Sequence, residues 1–158
     1  MNSEHSALTT LGQGFYWQDL SVGQRFKTYR RTITESDLVG FINCTGMLEA
    51  IFIDAEYSTR FGAVKGRVVP AALTYGLIEG LLFQTMIQGT GLAMLEVHKK
   101  AVKPVFVGDS IWAIVEVTDI KPTSKEGRAV VSSRVDVFNQ TDELVVTYDI
   151  KRMSAGRS

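Results

Sequence analysis

Apolar and polar positions alternate in short runs over the C-terminal part of the chain and cluster without alternation in its middle. The two textures predict different elements. Ile111-Trp112-Ala113-Ile114-Val115-Glu116-Val117 is rich in β-branched residues, and Val130 to Phe138 alternates apolar with polar side chains, so both read as strands. Leu144 to Ile150 is a further strand, joined to the one before it by the turn Asn139-Gln140-Thr141-Asp142. Leu92 to Val107 supplies one or two more runs, with Pro104 at an edge or a bend. By contrast, Ala71 to about Ile87 is apolar almost all round, which predicts a long helix wrapped by other structure. Pro70 sits where a helix favours its first-turn proline. Ala72, Gly76 and Gly80 recur every four residues and predict a thin ridge that lets a sheet approach the helix closely. Gly89-Thr90-Gly91 ends this helix.

The N-terminal part is more polar. Gln24 to Ile33 mixes β-formers with charges and reads as an exposed or edge strand. Thr34-Glu35-Ser36-Asp37 has the form of a capping box with Asp in place of Glu, and Leu38, Phe41 and Ile42 follow at helical spacing. A short helix therefore runs to about Asn43, and Gly46 ends it. Asp54 caps a second short helix carrying Glu56 and Tyr57, and a glycine-punctuated loop runs from Phe61 to Arg67. The order is strand, short helices, one long apolar helix, then about four antiparallel strands. An antiparallel sheet wrapped around one long central helix is the α+β arrangement of the hotdog fold. Its exposed sheet edge predicts pairing of subunits into a homodimer or higher homo-oligomer.

Composition narrows the function. The 158 residues make one domain, expected over residues 15–153 between a leader at 1–14 and a tail at 154–158. Lys+Arg and Asp+Glu are both 17, so there is no electrostatic case for nucleic acid or an anionic membrane as partner. The most apolar stretch, Val68 to Leu95, is broken by Pro70, Glu79, Gln84 and Gln88, which argues against a membrane span. The single cysteine, Cys44, excludes an internal disulfide and a cysteine-built zinc site. With no signal-peptide pattern in Met1 to Thr10, a reducing, cytoplasmic setting is expected. No cluster has metal-ligand spacing, and the glycines form no dinucleotide or phosphate-binding fingerprint.

From Tyr16 to Arg152 the chain resembles the MaoC-like hydratase/dehydratase family. The pieces are Asp19 to Phe26, Thr34 to Asp37, Asp54-Ala55-Glu56-Tyr57, Gly66-Arg67-Val68-Val69 before the long helix, and Pro104 to Ser110. The resemblance implies a thioester substrate, an enoyl or hydroxyacyl group on coenzyme A or an acyl carrier, with no cofactor beyond the coenzyme A of the substrate. The family's signature, Gly-Asp-x-Asn-Pro-x-His-x-Asp, falls on Gly46 to Asp54. Gly46 and Asp54 match it, whereas Met47 and Phe52 stand at the catalytic Asp and His positions. In the family a backbone N–H at the start of the long helix holds the thioester oxygen, which carries over to Ala71.

Hydration of an enoyl thioester needs a base for water, an acid for the α-carbon and a donor for the enolate oxygen. Glu49, among Met47, Leu48, Ala50, Ile51 and Phe52, is the substitute for the missing pair if its apolar neighbours desolvate it. Otherwise it is an exposed carboxylate or an ion-pair partner of Arg67. Asp54 is either the signature's last acid or a helix cap. Asn43 and Thr45 are small polar candidates for positioning water or substrate, and Cys44 reads better as a core thiol than as a nucleophile. His98, among Lys99 and Lys100, reads as part of a solvated face. Lys65, Arg67, Lys99, Lys100 and Lys103 either meet coenzyme A phosphates or are scattered surface charges. Glu79, mid-helix, demands a buried partner. A hydratase or dehydratase using Glu49 is the leading reading, beside a thioesterase on the same scaffold and a non-catalytic thioester-binding subunit.

Overall fold

The structure, a computed structural model, describes residues 8–62 and 64–157. After a 3-10 turn at Trp17–Asp19 come β1 (Arg25–Lys27), β2 (Arg31–Thr32), α1 (Glu35–Thr45), α2 (Ala50–Ile53), α3 (Tyr57–Phe61) and α4 (Ala71–Phe83). Four long strands follow: β3 (Gly91–Ala101), β4 (Ser110–Pro122), β5 (Arg128–Phe138) and β6 (Leu144–Ala155). They form one antiparallel sheet in the order β1-β4-β5-β6-β3, with β2 also paired to β4. Inward positions such as Val131, Val135 and Val137 of β5 are buried, as the period of two requires. They meet Leu73, Ile78 and Leu82 of α4 in a core that also takes in Leu38 and Ile42 of α1.

The charged segment expected as one strand divides into β1 and β2. Thr28 between them stays on β4, donating its N–H to the Ala113 carbonyl at 2.9 Å and accepting the Ala113 N–H on its hydroxyl. The capping box of α1 forms as read: Thr34 Oγ1 accepts from Asp37 N, and the Asp37 carboxylate accepts from Thr34 N. Gly46 caps the far end at φ 70°, a conformation glycine adopts without strain. The helix α4 is shorter than expected. Thr85 Oγ1 donates to the Leu81 carbonyl and Ile87 N–H to that of Leu82, so the last carbonyls of α4 are satisfied by a closing turn. Pro70 is the residue before the helix rather than inside its first turn.

Two packing expectations are corrected. Nothing lies within 4 Å of where a Cβ would stand at Gly76 or Gly80, so the small-residue ridge faces away from the sheet. One curved sheet covers one side of α4, and the side bearing Gly76 and Phe83 stays exposed in a single chain. Nor is Ser154 part of a loose tail: it is buried in β6, and Gly156 N–H bonds to the Gly127 carbonyl. Half of the expected leader, residues 1–7, lies outside the described residues, but its last residue, Gly14, is buried and bonds through its N–H to the Gln88 carbonyl. Glu79 has the partners its burial demands. Tyr148 Oη donates to it at 2.7 Å and Arg152 Nη2 at 2.6 Å, across the α4–β6 contact. Burial and the adjacent Glu79 carboxylate push the Tyr148 phenol far above its ordinary range, so it stays a donor.

Candidate functional site

The chain approaches α4 as a short ribbon. Val69 N–H donates to the Val105 carbonyl and Val107 N–H to that of Arg67, both at 2.9 Å, around the bridge between Val68 and Phe106. Pro70 then turns the backbone into the helix at φ −56°, ψ 137°. Its carbonyl accepts from Leu73 N and Thr74 N. Among the described residues no backbone carbonyl accepts from Ala71 N or Ala72 N. These are the first amides of a 13-residue helix, where unpaired N–H groups and the helix dipole favour an oxygen carrying negative charge. A cavity of about 240 Å³ opens beside Ala71, lined by Val69, Ala71, Thr74, Val102, Lys103 and Val105 among others. It is a largely apolar recess with Ala71, the first residue of α4, in its wall.

The segment carrying the predicted acid is built differently. Glu49 is exposed and lies just before α2, a one-turn helix that the sequence reading missed. Its Oε2 accepts from Ile51 N at 3.0 Å, the local capping role of an acidic side chain. The desolvated setting expected of Glu49 is absent from the single chain, because Met47, Leu48 and Ile53 around it are themselves exposed. Arg67 does not pair with Glu49. It pairs with Glu35 of α1 at 2.8 Å and donates to the Phe52 carbonyl of α2, tying both helices to the ribbon before Ala71. Asp54 is exposed and accepts from Glu56 N at 2.9 Å, so it organises the turn before α3, where Glu56 rather than Asp54 is the capping residue. Thr45 Oγ1 is engaged with the Phe41 carbonyl, while Asn43 and Cys44 are exposed on α1.

Of the candidate cations, Arg67 is committed as described and Lys103 pairs with Glu143. Lys99 lies 4.2 Å over the Tyr75 ring, leaving Lys65 and Lys100 without an ion pair among the described residues. His98 is exposed on β3 and shares Glu96 with Lys151. Thr74 was not singled out by its sequence context, although it stands one turn after Ala71, on the same helix face.

Residues 19–139 match the family model described as MaoC like domain. The chain belongs to this family. Among MaoC-like relatives, a 3-hydroxybutyryl-CoA dehydratase of Methylorubrum extorquens is 30% identical over 115 residues, which are 72% of this chain and 70% of the relative. An R-hydratase from Pseudomonas aeruginosa has a similar structure, with a TM-score of 0.78 at 27% identity over 92% of this chain and 88% of that one. A conserved hypothetical protein from Mycobacterium tuberculosis with a double hotdog fold gives a TM-score of 0.83 at 19% identity, over 94% of this chain but 46% of its own length. The hotdog arrangement expected from the order of elements is therefore the fold, and one copy of this chain spans about half of that double structure. No helix among the described residues is long and apolar enough to cross a membrane.

Proposed function

We propose that this MaoC-like protein interconverts enoyl and 3-hydroxyacyl thioesters of coenzyme A. The carbonyl of the substrate would sit at the start of α4. The observation that carries this reading is the cavity beside Ala71, whose amide no backbone carbonyl claims among the described residues. In hydration, the oxygen of water bonds to C3 and its proton is taken by a base. The double-bond electrons move toward the carbonyl, whose oxygen gains charge against those amides, and an acid returns a proton to C2. Glu49 is the carboxylate assigned to proton transfer, since only its Oε2 is engaged and substrate lying over Met47, Leu48 and Ile53 would desolvate it. The reaction needs no cofactor beyond the coenzyme A of the substrate. A carrier-protein thioester presents the same reacting atoms.

The proposal includes a homodimer. Among the described residues the edge strand β3 has β6 on one side only and exposes Leu92, Met94 and Leu95, so a second copy paired along it would cover apolar surface and close the sheet edge. The half-length match to a double hotdog supports this arrangement. A reducing cytoplasmic setting suits the single, exposed Cys44.

A second reading, a thioester-binding subunit without chemistry of its own, is favoured by one observation: Met47 and Phe52 occupy the signature's acid and base positions while Glu49 caps α2. Incubation with crotonyl-coenzyme A separates the readings. Loss of the conjugated thioester absorbance without thiol release is the expected result. Thiol release would mean a thioesterase, and binding without either change would leave the second reading.

A further inference from the structure

We infer that Thr74 supplies, through its hydroxyl, an additional hydrogen bond to the oxygen held at the start of α4. The inference rests on the thioester reading and goes beyond it in naming a side chain. A helical threonine usually turns its hydroxyl back on the carbonyl four residues earlier or, like Thr59 of α3, is exposed to solvent. Thr45 does so on Phe41, and Thr85 on Leu81. Thr74 does not: the carbonyl four residues before it is that of Pro70, which already accepts two N–H groups, and Thr74 Oγ1 has no partner among the described residues. The residue is 0% exposed and forms part of the wall of the cavity beside Ala71. Among the described residues Trp17 Nε1 and Thr90 Oγ1 are also buried without a partner, but of the three only Thr74 borders this cavity, where a group arriving from outside the chain could satisfy it.

The geometry of a helix says where that group lies. Side chains lean toward the helix N-terminus, so a residue three positions on covers the turn bearing Ala71. A threonine side chain has two open χ1 wells in a helix, and rotation between them turns the hydroxyl toward or away from the recess. An oxygen bound at the amides of Ala71 and Ala72 therefore lies beside Thr74 Oγ1. The matching ligand is a carbonyl oxygen that gains negative charge, which accepts from an O–H as well as from N–H groups.

The test compares Thr74→Val, which keeps the shape and removes the hydroxyl, with Thr74→Ser, which restores it. With crotonyl-coenzyme A, Thr74→Val is expected to lose about 100-fold in kcat with KM nearly unchanged. Its melting temperature should not fall, and Thr74→Ser should recover most of the loss. A second readout is independent of turnover. The infrared stretch of the labelled thioester carbonyl should shift to lower frequency on binding the wild-type protein, and shift less in Thr74→Val. Thr74→Ala takes its place should valine prevent folding. Wild-type kcat and carbonyl frequency in the hydroxyl-free variant would overturn the role of Thr74 while leaving the thioester reading intact. A wild-type protein that neither converts nor polarises crotonyl-coenzyme A would overturn both.

Discussion

The two halves of the candidate site are made of different material. At the start of α4 the candidate groups are backbone amides, preceded by a ribbon in which Val69 bonds to Val105 and Val107 to Arg67. In the segment from Gly46 to Asp54 any chemistry must come from side chains, and there the chain has Met47, Glu49 and Phe52. A backbone donor survives nearly any substitution that keeps the fold, so the Ala71 amide does not depend on the side chain that carries it. A proton-transferring pair survives none. Substitution therefore threatens the two halves unequally, and the contrast can be tested one half at a time.

The largest effect is expected from removing the backbone donor itself. Ala71 is the first helical residue, a position that tolerates proline because its N–H has no partner within the helix. Pro70 already has ψ 137°, the extended conformation that a following proline requires. Ala71→Pro should thus keep the helix while deleting one donor. Activity on crotonyl-coenzyme A is expected to fall about 100- to 1,000-fold, with a melting temperature close to that of the wild type. Undiminished turnover in that variant would mean that the Ala71 amide holds nothing, and the binding half of the contrast would break.

Next in size is the side-chain half. Glu49→Gln keeps an oxygen that can accept from Ile51 N, so α2 should remain capped. If the carboxylate moves the proton, kcat should fall about 100-fold with little change in KM. Steady-state rates for the two variants measured together sharpen the comparison. An inert Glu49→Gln beside a crippled Ala71→Pro would assign all the recognisable function to the backbone and hand the chemistry to another group.

How far the sequence reveals this division follows from what each pattern encodes. Alternation identified β5 and β-branched richness β4, because these strands bury one face on the core and period-two burial leaves a clear trace. The strand β3 carries Leu92, Met94 and Leu95 in the open, and an apolar residue at a free edge reads the same as one in a core. Periodicity says that Ala72, Gly76 and Gly80 share a face of α4. It does not say which face the sheet will cover, hence the misplaced ridge. A partner for Glu79 followed from its burial, but its identity did not, since Tyr148 and Arg152 lie 69 and 73 residues away. Ala71 was legible through the family resemblance. Thr74 was not, because an unpaired hydroxyl depends on what the Pro70 carbonyl is already doing.

The smallest expected effect concerns the frame that carries the side-chain half. The Thr34 backbone N–H, with the Thr34 hydroxyl and the Arg31 guanidinium behind it, holds the Asp37 carboxyl below its usual value, against the opposing pull of partial burial. A carboxylate held below its unfolded pKa of about 4 stabilises the fold above that pH. Its contribution is lost as pH falls through the lower, folded value. Asp37→Asn should therefore cost about 1 kcal/mol at pH 7, the size of a capping interaction. The gap from wild type should narrow as pH drops below about 4, where the wild-type carboxyl also becomes neutral. Urea unfolding at both pH values reads this directly. Because Asp37 anchors the start of α1 to Arg31 and touches nothing at α4, affinity for crotonyl-coenzyme A should stay within about twofold. A gap that does not change with pH would mean that the charge of Asp37 is idle, whereas a large loss of affinity would couple the frame of α1 to the start of α4 and erase the independence of the two halves.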